Sequence, residues 1–220
     1  MRGLYGASPV FEDRFEAGER LARILERYRE ESPVVYALPR GGVPVGYEIS
    51  RALGAPLEVL VARKLGAPGQ PELGIGAVAA GGVRVLNWPL VERLGVPDEH
   101  IEQVTADEKE EAERRTELLR GGREEFDVRD RTAIIVDDGL ATGATARAAI
   151  EALRQRGPRR IVVAVPVCAA QTEAEIRAEV DEMVAIEIPE QLGAIGFWYY
   201  DFDQVSDEEA LELLESARSG

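Results

Sequence analysis

Two adjacent carboxylates, Asp137 and Asp138, follow the apolar run Ala133-Ile134-Ile135-Val136 and precede Gly139-Leu140-Ala141-Thr142-Gly143-Ala144-Thr145. An Ile- and Val-rich run of this kind reads as a strand buried on both faces of a parallel sheet. The small and hydroxyl-bearing residues after it stand at the head of a helical stretch over 146–156. There, backbone N–H groups can converge on an anion, with the two threonine hydroxyls as further donors. The acidic pair cannot hold a phosphate, because like charges repel, but it can accept hydrogen bonds from vicinal hydroxyls. A ligand with a ribose diol at one end and a phosphate at the other meets both demands. The plainer alternative is a strand-to-helix turn with solvated carboxylates and a threonine cap, yet nothing in turn chemistry requires two adjacent acids after a buried strand.

Two basic constellations complement this acidic one. Pro39-Arg40-Gly41-Gly42 follows a second short apolar run. Its glycines let the backbone approach a ligand closely, and Arg40 offers a fork of donors. Arg63-Lys64-Leu65-Gly66 follows a third. The chain uses arginine almost everywhere and lysine only at positions 64 and 109. A compact ammonium on a flexible stem suits moving phosphate charge. Residues 63–74 hold three glycines and two prolines, which reads as a loop, and 66–74 as a segment able to close and exclude water. The alternatives are a tight turn with Arg40 in solvent and a solvated basic pair at Arg63 and Lys64.

The elements that must position these groups alternate along the chain. Residues 12–30 carry Ala17, Leu21, Ile24, Leu25 and Tyr28 as a helical stripe. Strands are predicted over 34–38, 57–62, 161–167 and 183–188, and helices over 43–53, where Pro44 suits the first turn, and 171–180. Residues 75–80 and 83–86 flank Gly81-Gly82 as a hairpin. The charged stretch 97–120 reads as a largely exposed helix, and Ser206 with Glu209 forms a capping box for a terminal helix reaching 217. This alternation predicts an α/β fold with a parallel sheet flanked by helices, and ligands in such folds lie beyond the carboxyl ends of the strands. Both the Arg40 and the Asp137 loops fall there.

Composition narrows the chemistry. A chain of 220 residues with 45% hydrophobic content suits one domain with at most a small appendage. A formal charge of −15 argues against a nucleic-acid partner. One cysteine, Cys168, excludes an internal disulfide, and with His100 as the one histidine a Cys/His zinc site has too few ligands, so no metal-ligating side chains are assigned. No run is long or apolar enough for a membrane span, and the first residues lack the apolar core of a secretion signal, so no membrane partner is expected and the expected location is the cytoplasm.

The apolar strand, the acidic pair and the Thr-Gly-x-Thr loop resemble the signature by which type I phosphoribosyltransferases bind phosphoribosyl pyrophosphate (PRPP). The resemblance covers most of residues 33–190. It implies a core over 1–190 and a hood-like segment over 191–220. It places Asp137 and Asp138 on the ribose hydroxyls and Ala141, Thr142, Gly143, Ala144 and Thr145 around the 5′-phosphate. Arg40, Gly41 and Gly42 would face pyrophosphate, and Arg63 and Lys64 would lie at the base of a closing lid. It further implies Mg²⁺, held mainly by the ligand's own oxygens and water, a homodimer, and transfer of the phosphoribosyl group to a nucleobase or related small acceptor. Asp137, Asp138, Lys64 and Arg40 would carry the reaction. The aromatic stretch Phe197-Trp198-Tyr199-Tyr200-Asp201-Phe202 would belong to the hood, with Phe11-x-x-Arg14 near it. Ala141 stands where the hypoxanthine-guanine branch has an acid, and Leu140-Ala141-Thr142-Gly143 is more similar to the adenine branch, so the acceptor stays open. The stretch from Arg63 to Leu73 looks most like a bacterial group of unassigned acceptor. Two other functions fit the same motifs: a PRPP-sensing regulatory protein without transferase activity, and a hydrolase that releases pyrophosphate or phosphate to water.

Overall fold

The computed structural model describes residues 9–219. Within them, strand β6 (Thr132–Val136) shows why the central apolar run is continuous rather than alternating. Ile134 and Val136 point into one core, and Ala133 and Ile135 into another on the opposite face. A strand covered on both sides has no polar positions to spare. Its parallel neighbours are β1 (Val34–Ala37) and β7 (Arg160–Val167); β2 (Leu57–Val59) and β8 (Glu182–Glu187) lie at the edges, giving the order β2-β1-β6-β7-β8. Helices α1 (Arg14–Leu25), α2 (Gly42–Leu53) and α7 (Asp207–Ser219) cover one face, and α5 (Ala144–Arg154) and α6 (Ala170–Arg177) the other. The predicted parallel sheet flanked by helices is therefore present.

The strand order has a consequence for the site. From β1 the chain turns through α2 to β2 on one side, and from β6 through α5 to β7 on the other. The two connections diverge beyond the carboxyl ends of β1 and β6, and that divergence opens the crevice in which sheets of this type bind ligands. The loops ending β1 and β6 meet there: Leu38 N–H donates to Val136 O at 2.8 Å, and the site of a Cβ on Gly42 would be 2.6 Å from the same carbonyl.

Two expectations are corrected. Ile24 does not share the buried stripe of α1; Leu21 and Leu25 are buried, followed by Tyr28 in a short 3-10 turn, while Ile24 is exposed. More consequentially, residues 63–74 are not a loop, and the strand expected over 57–62 divides. β3 (Ala62–Ala67) and β4 (Gln70–Ala79) form a long antiparallel hairpin, extended by β5 (Arg84–Leu86) into a second, three-stranded sheet. The glycines that suggested a loop serve close packing instead. A Cβ on Gly66 would stand 2.7 Å from Pro71 across the hairpin, at a bulge in the pairing, while Gly69 (φ +68°) makes the turn. Alanines 77 and 79 of β4 lie flat against Ala148 and Ala152 of α5. The other face, with Leu65, Ile75 and Val78, packs on Ile101 of α4 (Asp98–Arg120) and on Val91 of α3 (Trp88–Leu94). No helix in the described residues is long and apolar enough to cross a membrane.

Candidate functional site

Asp137 and Asp138 leave β6 into a tightly constrained turn. The Asp138 N–H donates to Asp137 Oδ1 at 2.9 Å, which bends the first carboxylate back over its own backbone. The Asp138 carboxylate lies against the Arg40-Gly41 backbone, so close that a Cβ on Gly41 would fall 1.9 Å from its Oδ2. That oxygen also accepts from Arg14 Nε at 2.9 Å, in an ion pair whose side chains are 11% and 13% exposed. Arg14 Nη1 donates onward to Asp203 O at 2.8 Å, and its guanidinium sits 3.7 Å above the Phe202 ring. The Tyr199 hydroxyl donates to Asp138 O at 2.6 Å. The Gly41 backbone and the Arg14 guanidinium thus hold the second carboxylate, and the Tyr199 phenol holds the main chain that carries it.

Burial is the leading cause of the electrostatics here. It lifts the Asp137 carboxyl well above the ordinary range, and the neighbouring Asp138 charge adds to the effect. Burial also raises Asp138, against the pull of Arg14. The Tyr199 hydroxyl is pushed far up by its burial and stays a neutral donor.

Beyond the pair, Leu140 pairs with Cys168, and Gly143 (φ +69°) turns the chain into α5. The left-handed conformation is one glycine adopts without steric cost. Thr172 Oγ1 donates to Ala141 O at 2.5 Å and Arg147 Nη1 to Thr142 O at 3.3 Å, so α6 and α5 brace the loop from behind. Thr142 is exposed and Thr145 half-buried at the head of α5, whose first N–H groups lack intrahelical acceptors. An anion bound there meets the positive end of the helix dipole. The acidic pair therefore lies against Gly41 and Gly42, and the hydroxyl-bearing loop leads from it to the head of α5. The Pro39–Arg40 peptide of the loop after β1 is cis.

The remaining predicted residues sit apart on the small sheet. Arg63 Nε donates to Glu108 of α4 at 2.8 Å. Lys64 Nζ pairs with Glu72 across the hairpin at 2.8 Å. Both line a cleft of about 500 Å³ between hairpin and helix, whose wall includes His100, with Nε2 2.9 Å from Gly66 O. The aromatic stretch divides: Trp198 and Tyr199 are buried, with Phe11 and Leu192, and Phe197 and Tyr200 are exposed. Phe11 pairs with Tyr199 as a short parallel bridge, with rings 5.3 Å apart, so residues near both ends of the described chain build one module beside Asp138. Tyr199 had a sequence signal in its aromatic neighbours, and Arg14 a weak one in Phe11-x-x-Arg14. Arg115 and Asp207 had none. Asp207 pairs with Arg40 at 3.6 Å and with Arg115 at 3.0 Å.

A parallel sheet that carries an acidic pair and the head of a helix at its switch point is the architecture of the phosphoribosyltransferase class. Residues 12–201 match the family model of the phosphoribosyl transferase domain. The chain belongs to that family. A Mycobacterium tuberculosis protein named as a phosphoribosyl transferase is 42% identical over 208 residues, which cover 94% of this chain and 47% of the relative. The chain thus spans about half the length of the curated relatives it matches in this way. The bifunctional protein PyrR of Deinococcus radiodurans is 33% identical over 153 residues, 64% of this chain and 79% of that protein. Among solved structures, TT1426 of Thermus thermophilus superposes with a TM-score of 0.80 at 40% identity, covering 94% of this chain and 98% of its own.

Proposed function

We propose that this domain binds PRPP with Mg²⁺ and transfers the phosphoribosyl group to a nucleobase or related small acceptor, releasing pyrophosphate. The observation that carries this reading is the contact between the Asp138 carboxylate and the Gly41 backbone. It brings a diol acceptor and a loop suited to pyrophosphate to adjoining walls of one crevice, with the α5 head as the phosphate end.

Departure of pyrophosphate from the sugar leaves a transition state like an oxocarbenium ion, with positive charge on the ring and negative charge on the leaving group. Asp137 and Asp138 serve the ring side: they accept hydrogen bonds from the ribose hydroxyls and oppose the developing cation. Arg14 and Tyr199 keep Asp138 in place while it does so. Arg40 and the Gly41 amide take the growing charge on the leaving group, the Gly42 N–H being already held by Leu38 O at 3.0 Å, and Lys64 joins them once the hairpin moves inward. The oxygen donors of Asp137 and Asp138 fit a hard cation; they would hold Mg²⁺ through water and the donor's own oxygens, and the ion supplies charge neutralisation on the pyrophosphate.

Calorimetric titration with PRPP, with and without Mg²⁺, tests the donor half of this reading. Saturable Mg²⁺-dependent binding is expected, followed by pyrophosphate release with one of a panel of acceptors. An absence of binding in both titrations would remove the transferase assignment.

A further inference from the structure

Arg40 and Arg115 come from distant parts of the chain, the end of β1 and the middle of α4, yet both reach Oδ1 of Asp207. Two guanidiniums on one carboxylate leave a net positive charge at a place only partly open to solvent, with side chains 27%, 20% and 31% exposed. The geometry of Arg115 is incomplete as it stands. Its Nη2 is used, but its Nε is buried with no hydrogen-bond partner. A guanidinium that engages a carboxylate through one nitrogen and leaves Nε unmet uses only half of its fork. Glu111, the acid one turn earlier on α4, is occupied by Arg114 at 2.7 and 2.8 Å.

Asp207, for its part, is not needed to start α7. The Glu209 N–H donates to Ser206 Oγ at 3.0 Å, so Ser206 is the cap. α4 also carries Glu108, the partner of Arg63, one heptad before Arg115 and so about 10 Å along the helix. The carboxylate partner of Arg63 thus lies on α4, and that of Arg40 on α7.

We infer that Arg115 is a pyrophosphate-binding residue acting beside Arg40, and that Asp207 is an internal anion which pyrophosphate displaces from the two guanidiniums. This rests on the phosphoribosyltransferase reading and adds to it a residue from α4 and a competitor from α7. Pyrophosphate carries several charges against one on Asp207, and its paired oxygens match the fork of Arg115, including the unmet Nε. Binding of the donor then releases the first turn of α7 from its tether to the β1 loop.

The test is calorimetric affinity for inorganic pyrophosphate with Mg²⁺, on the full chain and on three variants, with thermal unfolding recorded for each. Arg115→Gln is expected to weaken binding by about 10- to 100-fold. Arg115→Lys, which keeps the charge and loses the fork, should fall between it and the parent, and it serves should the glutamine variant fail to fold. Asp207→Asn should bind pyrophosphate about 3- to 10-fold more tightly, since it removes the competitor. A purely structural salt bridge predicts the contrary pattern, a lower melting temperature in the variants with no change in affinity. Unchanged affinity on altering Arg115, or no tightening in Asp207→Asn, overturns the inference while the transferase reading stands. A parent chain that binds neither pyrophosphate nor PRPP overturns both.

Discussion

The acidic pair and the basic groups predicted to accompany it are built on opposite plans. Asp138 is held by backbone contact with Gly41, by Arg14 and by the Tyr199 hydroxyl, all from well-packed surroundings. On the basic side, Arg40, Arg63 and Lys64 are side-chain groups already engaged by Asp207, Glu108 and Glu72. In the proposed function, the carboxylates that meet a neutral diol are fixed beforehand, which avoids an ordering cost on binding. In the same proposal, the cations that meet a multiply charged anion carry single carboxylate partners that the anion replaces. That proposal sets rigidity where hydrogen-bond geometry decides recognition, and exchangeability where charge does.

Gly41→Ala tests the rigid half most severely. The added methyl would lie 1.9 Å from Asp138 Oδ2, so loop or carboxylate must move, and PRPP affinity should fall by more than about 100-fold. A calorimetric loss of less than about 3-fold would show that the contact is not part of the binding geometry. Arg14→Ala comes next. It strands Asp138 without its cation, and the cost in denaturant unfolding should be about 3 kcal/mol, in the range for breaking a buried pair.

Asp137→Asn separates binding from stability. Asp137 is raised in the folded state by burial, so the native protein takes up a proton more readily than the unfolded chain. The stability it contributes is complete below the unfolded value near 3.8 and is lost as pH rises through the higher folded value. The parent's melting temperature should therefore decline over that window, and the variant's should decline less while its PRPP affinity drops about 10-fold or more. In the parent, PRPP affinity should rise with pH across the same window, because only the ionised carboxylate accepts from both hydroxyls. Lys64→Ala is the mildest. It should lower turnover by about 10-fold with PRPP affinity changed by less than about 3-fold, and equal losses in both would make Lys64 a ground-state anchor.

The same contrast explains what could be read from the sequence. The rigid half is nearly contiguous, a two-face-buried strand running into its acids and the helix head, and burial on both faces leaves a plain mark at Ile134 and Ile135. The order of elements followed from the alternation of such strands with helices. The basic groups are scattered over the β1 loop and the hairpin, with ion-pair partners on α4 and α7, and no local pattern separates Arg115 from the other arginines of a charged helix. The hairpin itself was obscured because Gly66 and Gly74 resemble loop residues. In the fold they are small because Pro71 and the Lys64 stem pass within 3.0 Å of where a Cβ would stand.

The bulge at Gly66 is gripped by the one histidine in the sequence, His100, through its Nε2. The molecule therefore carries an intrinsic reporter. Its imidazole resonances need no assignment by mutation, and they sense directly whether the hairpin rests on α4 or has lifted from it. Titrating PRPP or pyrophosphate while following that single spin system would show whether the proposed hairpin motion accompanies binding, without a label attached to the protein.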